Sequence, residues 1–286
     1  MDRLILGTVQ LGTKYGINNS DGQPKSNESL NILEKAFSLG IRNLDTAEVY
    51  GDAYKVIKKY HKKFPLKKFN IFDKSSYEEP KSFKNKIINK LELLNIDNFE
   101  GYMFHSLDIF KKNQAIYDEI VNIKKQGLIK NLGISIYTDE QINEALRSNF
   151  DFDFIQMPFN VLDNHNLRKD AINRLNEQNI EIHVRSIFLQ GLFYMDENSL
   201  PKKLLPLKKY ILKIKKLCTE SGCSIDELLM HYPKQKKYVS KIIFGVDNIN
   251  HLTKNIASYN KELKISMNII DEIQVKNKKL LNPSIW

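Results

Sequence analysis

Two periodicities of apolar and polar positions alternate along this chain. Short apolar runs of strand-like composition fall at 3–8 (RLILGT), 41–45, 69–74, 100–105, 130–135, 153–157, 180–186 and 241–245. Between them the apolar positions recur every three or four residues, as in Phe83, Ile87, Leu91 and Leu94 or Ile116, Ile120 and Ile123, which is the period of an amphipathic helix. Two later helices are predicted to start at capping boxes, Thr138 to Gln141 and Ser224 to Glu227. Strand–helix alternation with no hairpin pattern predicts a parallel sheet. Repeated over the length of the 286-residue chain, it predicts an α/β fold, a single (β/α)8 TIM barrel, in preference to an open doubly wound sheet. The open sheet would need a Gly-rich first turn, and LGTVQLGTKYG offers Gly7, Gly12 and Gly16 without the G-x-G-x-x-G spacing. No linker or shift in composition divides the chain, so residues 1–286 read as one domain.

The strand ends carry the chemistry. LDTAEVYG (44–51) ends a strand with Asp45 and places Tyr50 five residues later; IFDK (71–74) ends the next with Lys74; YMFHS (102–106) ends a third with His105. Asp45 to Lys74 is 29 residues and Lys74 to His105 is 31, each the length of one βα unit. The three therefore belong at the same end of successive parallel strands, where barrel enzymes place their sites. Ser135, Gln156, Arg185 and Gly245 continue the series on later strands. A carboxylate, an ammonium, an imidazole and a phenol at one sheet edge suit proton transfer to a carbonyl oxygen. A free phenol titrates near pH 10; an adjacent ammonium lowers that value, and Asp45 would hold Lys74 charged. His105 would hydrogen-bond the same oxygen, while hydride reaches the carbon from an organic cofactor, since no metal triad is present in the sequence. Asp73, beside Lys74, points away from the barrel axis by strand alternation.

Composition narrows the partners. At 42% hydrophobic and 27% charged residues this is ordinary globular material, with no apolar run near the roughly 18 residues of a membrane span. The N-terminus enters a strand without a signal-peptide pattern, so a cytoplasmic protein with no membrane partner is expected. Cys218 and Cys223 are spaced as neither a redox pair nor a metal site and read as free thiols. The net charge of +10 comes overwhelmingly from lysines scattered over helices, not from arginine and aromatic residues on one surface, which argues against nucleic acid. It would still assist encounter with anionic ligands.

At this point the chain resembles the aldo-keto reductase superfamily. GIRNLDTAEVYG is similar to its first signature, Lys74 and His105 stand where its lysine and histidine are expected, and 127–146, 154–163, 185–193 and 242–256 match successive blocks. The resemblance implies Asp45, Tyr50, Lys74 and His105 as the catalytic set and NADPH, or else NADH, as cofactor. It implies that Ser135 and Gln156 hold the nicotinamide carboxamide, with Thr8 near the adjoining ribose. Arg185 takes the position, often aromatic, that covers the nicotinamide face, followed by Ser186, Gln190 and Gly191. Gly245, Val246, Asn248, His251 and Asn255 would hold the adenosine-side phosphates, with backbone N–H groups at the start of the last helix as donors. The pattern departs at Ile136, where an asparagine is usual, at His251, where an arginine commonly grips the 2′-phosphate, and at Lys254, where a glutamate is common. Lys254 could bind a 2′-phosphate, whereas His251 is expected mostly neutral at pH 7.

The resemblance implies a reductase of a small-molecule aldehyde or ketone. Similarity of TVQLGTKYGINN and RSIFLQGL to bacterial members of surface-polysaccharide pathways extends the expectation to sugar-derived carbonyls. Two other functions are compatible with parts of the pattern: a catalytically quiet NADP-binding regulatory protein, which would not need Tyr50, and a Schiff-base lyase, which would need Lys74 neutral. Each site residue alone has a structural reading, Asp45 as a cap and His105 as a packed core histidine; it is their register that favours the site. The stretch 186–205 reads as a mobile loop over the cofactor, Tyr15, Phe188, Phe193 and Tyr194 as pocket wall or core, and the tail before Trp286 as too short to line a pocket.

Overall fold

The structure is a computed structural model that describes residues 1–76, 82–148 and 150–286. The eight predicted strands are present as β1 (Leu4–Gly7), β2 (Asn43–Asp45), β3 (Asn70–Ser75), β4 (Phe99–Phe104), β5 (Ile129–Ser135), β6 (Phe154–Pro158), β7 (Glu181–Arg185) and β8 (Val239–Phe244). They pair in sequence order, all parallel, and β8 returns to β1 to close the barrel. The major helices outside it are α1 (Ser26–Ser38), α2 (Ala53–Lys63), α3 (Phe83–Leu94), α4 (Tyr117–Lys125), α5 (Asp139–Leu146), α6 (His165–Glu177), α7 (Lys208–Glu220), α8 (Ile225–Gln235) and α9 (Ile249–Asn260). Both predicted capping boxes form: Thr138 opens α5 and Ser224 opens α8. Ile116 falls just short of its helix, in a 3-10 turn that leads into α4, while Ile120 and Ile123 are buried as the stripe requires.

Alternation along the strands separates two apolar layers. Side chains pointing outward meet the helices in the large core. Ile5, Phe72, Met103, Phe154 and Ile243 point inward and form a cluster of their own. Phe72 and Phe154 meet edge to face at 5.8 Å, and His183 stacks on Phe154 at 4.4 Å. These rings take the space in front of Gly101 and Gly133, where a Cβ would lie 2.3 Å from Phe72 and 2.4 Å from Phe154. The floor of the barrel is thereby filled, and polar side chains collect above it at the C-terminal strand ends.

In β3 the alternation does what the sequence pattern predicts: Lys74 turns inward and Asp73 outward. Asp73 is fully buried under α2 and α3, accepting hydrogen bonds from Tyr54 Oη at 2.5 Å and Lys90 Nζ at 2.8 Å. Lys90 also pairs with Glu48 at 2.5 Å, as does Lys86 at 2.6 Å. Burial still pushes the Asp73 carboxyl above its ordinary value, against the lowering by Lys90.

The stretch 186–205 differs from the structureless loop expected of it. It folds into 3-10 turns at Leu189–Tyr194 and, beginning within it, Lys202–Leu207, with Leu189, Leu192, Phe193 and Leu204 buried. Apolar anchors at irregular spacing escape any periodicity search, which is why the sequence pattern did not reveal them. Among the described residues, no helix is long and apolar enough to cross a membrane.

Candidate active site

The chain is brought to the site by a backbone contact that spacing alone would not reveal. Tyr50 lies in the turn between β2 and α2, and this turn packs directly on the turn after β1. Gly12 O accepts the Asp52 N–H at 2.9 Å. A Cβ on Gly12 would lie 1.7 Å from Tyr50 O, and one on Gly51, whose φ is +51°, would lie 2.2 Å from Gly12 O. Gly12→Ala should therefore shift the Tyr50 backbone and cost about 1–3 kcal/mol by overpacking. Melting temperature and kcat measured on this variant should both fall, and wild-type values for the two would refute so close an approach.

Asp45, Lys74, Tyr50 and His105 converge at the C-terminal mouth. Lys74 Nζ donates to Asp45 Oδ1 in a short buried ion pair, and to Tyr50 Oη at 3.3 Å. The second Asp45 oxygen accepts from Gln156 Nε2 at 2.8 Å. Burial opposes the Lys74 ammonium, but Asp45 and Tyr50 more than compensate and hold it above its ordinary value. A lysine so held does not act as the neutral amine that a Schiff base needs.

Tyr50 departs from the expected direction. Burial raises its phenol above the ordinary tyrosine value, and Lys74 draws it back only in part, because Asp45 offsets that ammonium. The phenol is thus firmly protonated at neutral pH. His105 meets the Tyr50 ring edge to face at 5.9 Å, and its Nδ1 lies 2.6 Å from Ser76 Oγ. Burial, with Lys74 and Arg185 adding to it, pushes the imidazole down to about 3. A neutral ring with Nδ1 engaged by Ser76 leaves Nε2 to serve a ligand.

These four residues line one end of a cavity of about 580 Å3. Ser135, Arg185, Ser186, Gln190, Gly191, Gly245, Val246, His251 and Asn255 line it as well. Thr8, Gln156 and Asn248 do not appear on its wall. Thr8 is fully buried and donates from Oγ1 to Asp45 O at 2.9 Å, so it braces the end of β2. Gln156 stands just behind the wall. Asn248 caps α9, its side chain taking the His251 N–H at 2.9 Å, which removes one backbone donor expected for a phosphate. Tyr15, Phe188 and Tyr194 face the cavity, whereas Phe193 is core. Pro283 and Ser284 reach the rim, so the short tail does contribute wall.

Several lining residues gave no sequence signal. Asp226 and Asp247 add two carboxylates to the cavity wall. Asp226 lies 2.6 Å from Lys254 Nζ and accepts from Tyr194 Oη at 3.0 Å. Asp247 faces His251 Nδ1 at 3.5 Å and raises that imidazole above its ordinary value, against the lowering by burial. Asp226 meets Lys254 only through the fold, whereas Asp247 and His251 stand four residues apart in the same segment.

Whether a nicotinamide dinucleotide suits these residues can be asked of the unpaired polar atoms. Gln156 Oε1 and Gln10 Oε1 are buried acceptors without a partner among the described residues. Leaving such atoms unpaired costs about 1–3 kcal/mol each. Gln156 is in register with Ser135 on the neighbouring strand, so an acceptor and a hydroxyl stand side by side. That pair fits a carboxamide, and one cavity is lined both by the tetrad and by His251 and Asn255 of α9, as a dinucleotide would require.

The closed parallel barrel carries a buried carboxylate–ammonium–phenol cluster at its C-terminal mouth, where α/β-barrel enzymes place their sites. Residues 3–275 match the model of the aldo/keto reductase family, and the chain belongs to that family. It is 25% identical over 278 residues to the uncharacterized oxidoreductase YqkF of Bacillus subtilis, covering 89% of this chain and 86% of that protein. Among solved structures, the glycerol dehydrogenase AKR11B4 of Gluconobacter oxydans superposes with a TM-score of 0.74 at 17% identity, over 95% of this chain and 90% of that one. The holo form of aldo-keto reductase AKR11C1 from Bacillus halodurans gives 0.69 at 19% identity, over 99% and 93%. The protein is accordingly an oxidoreductase of carbonyl compounds.

Proposed function

We propose that this protein reduces an aldehyde or ketone to an alcohol with a nicotinamide dinucleotide, Tyr50 serving as proton donor. The observation that carries the reading is the Asp45–Lys74–Tyr50 relay facing the cavity, with Lys74 Nζ 3.3 Å from Tyr50 Oη. The bound dinucleotide would supply the hydride. Tyr50 holds the proton at Oη until the substrate oxygen needs it, and Lys74 stabilises the phenolate left behind. Neutral His105 donates from Nε2 to the same oxygen, and Ser76 at Nδ1 sets the tautomer that permits this. Asp45, fixed by Lys74, Gln156 and the Thr8 brace, orients the ammonium.

Ser135 and Gln156 would hold the carboxamide, Gln156 through the free Oε1 acceptor. The neighbourhood of Gly245, Val246, His251 and Asn255 would receive the adenosine end. NADPH is the favoured cofactor, with the exposed Lys254 and the neighbouring His251 imidazole as the groups for a 2′-phosphate. Both already face a carboxylate, so the preference over NADH should be modest, within about tenfold or 1.4 kcal/mol. Fluorescence titration of the purified protein with each dinucleotide tests this. Binding of both with NADPH slightly tighter is the expected result, and binding of neither would sink the reductase reading. A sugar-derived carbonyl remains the substrate suggested by the sequence blocks at 8–19 and 185–192.

A further inference from the structure

The charges around the tetrad do not cancel, and one residue is responsible. Asp45 and Lys74 neutralise each other, His105 and Tyr50 are uncharged, and Glu48 is taken by Lys86 and Lys90. Arg185 is left over. It lines the cavity at the tetrad end, yet its protein contacts are all neutral: Ser186 Oγ at 3.3 Å, Ile136 O at 3.4 Å and the face of the Tyr137 ring at 4.1 Å. Among the described residues no carboxylate pairs with it. Its charge is felt at both His105 and Tyr15, which places it beside the reacting end and not at the far end of the cavity.

Other arginines in this chain are spent differently. Arg168 is nearly buried and grips Asp163 through Nε and Nη2, each at 2.7 Å, with Asp139 on Nη1. Arg3 donates to backbone carbonyls of Pro233, Lys234, Lys236 and Val239. Arg185 has five N–H donors, and the two hydrogen bonds it makes are long. Holding Tyr137 explains little, since a cation over a ring is worth about 0.5–1 kcal/mol and a planar amide could stack there as well. A half-buried guanidinium with donors to spare, in a cleft walled by protein, is an anion site.

We propose that Arg185 selects a carbonyl substrate that carries an acidic group, a carboxylate or a phosphate, and orients its carbonyl toward Tyr50 and His105. The proposal rests on the reductase reading above and adds to it the chemistry of the substrate. A fork-like guanidinium suits either oxyanion, so the two sources are separated by experiment.

Initial-rate kinetics should compare 4-carboxybenzaldehyde with 4-formylbenzamide, and glyceraldehyde 3-phosphate with glyceraldehyde, for wild type, Arg185→Gln and Arg185→Lys. The quantity read is the ratio of kcat/KM, acidic over neutral, within each protein, so any loss common to both substrates cancels. Wild type should prefer the acidic member of at least one pair, and Arg185→Gln should reduce that ratio roughly 10- to 100-fold, the worth of hydrogen bonds to a charged group. Arg185→Lys should retain part of it. Preference in the first pair marks a carboxylate substrate, and preference in the second a phosphorylated one. A ratio near one in wild type, or the same ratio in Arg185→Gln, overturns the proposal. So does a lowered dinucleotide affinity in Arg185→Gln with the ratio unchanged, which would assign the guanidinium to the cofactor. Calorimetric titration with benzoate and with inorganic phosphate decides the matter even if no aldehyde is turned over, the outcome that would defeat the reductase reading alone. Anion binding that disappears in Arg185→Gln upholds the proposal, and anion binding absent from wild type or indifferent to the substitution overturns it.

Discussion

Tyr50→Phe should lower kcat for carbonyl reduction about 10²- to 10⁴-fold, the usual worth of a positioned general acid, while dinucleotide affinity stays within a few-fold. Among the described residues the phenol oxygen's hydrogen-bond partner is Lys74 Nζ and not the backbone, so its removal should leave the barrel intact. The pH dependence gives an independent readout. Burial holds the Tyr50 phenol above its ordinary value, so the acid form persists through neutrality. Wild-type reduction should be flat across neutral pH and decline only on the alkaline side of the ordinary tyrosine range, as the phenol ionises. The reverse reaction, alcohol oxidation, needs the phenolate and should rise with pH over the range where reduction is flat. Full activity in Tyr50→Phe would show that another group donates the proton. An unchanged alkaline limb in that variant would show that the limb belongs elsewhere.

Lys74→Met should be the more damaging change, because it acts on stability as well as chemistry. Among the described residues it leaves the Asp45 carboxylate, 3% exposed, with the Gln156 amide alone to answer its charge. Breaking a buried ion pair by removing one partner typically costs about 3–5 kcal/mol. For a domain of this size that corresponds to a fall in melting temperature on the order of 10 °C. Activity should be lost too, since Tyr50 then has Asp45 near it and no ammonium to stabilise its phenolate. Adding Asp45→Asn to Lys74→Met removes the stranded charge, so the double variant should regain much of the lost stability and none of the activity. Thermal melts of the two variants beside wild type check this. A single variant as stable as wild type would mean that the pair is open to solvent.

The readings that held and those that failed differ in physical kind. The strands and the two capping boxes were legible because each depends on residues close together in sequence. Lys74 and Asp73 could be assigned to opposite faces for the same reason, as strand alternation admits one arrangement. The tetrad's convergence followed from spacing, since βα units of about 30 residues return the chain to the same rim. Features made by distant segments were not legible. The Gly12–Tyr50 backbone contact, the Asp226–Lys254 pair and the place of Pro283 and Ser284 all join segments whose spacing carries no period. The acidity of Tyr50 was misjudged for a related reason: Lys74 alone argues for a lowered value, and only burial beside Asp45 reverses the balance.

The sequence by itself determined that this is a parallel (β/α)8 barrel with Asp45, Tyr50, Lys74 and His105 at one rim, because hydrophobic period and repeat length are local quantities that survive without coordinates. The tertiary structure decided which charges cancel. Asp45 answers Lys74, Asp226 answers Lys254, and among the described residues Arg185 stands beside the tetrad without a carboxylate. Electrostatic energy depends on separations of a few ångströms and on exclusion of water, and neither is written in the order of residues along the chain.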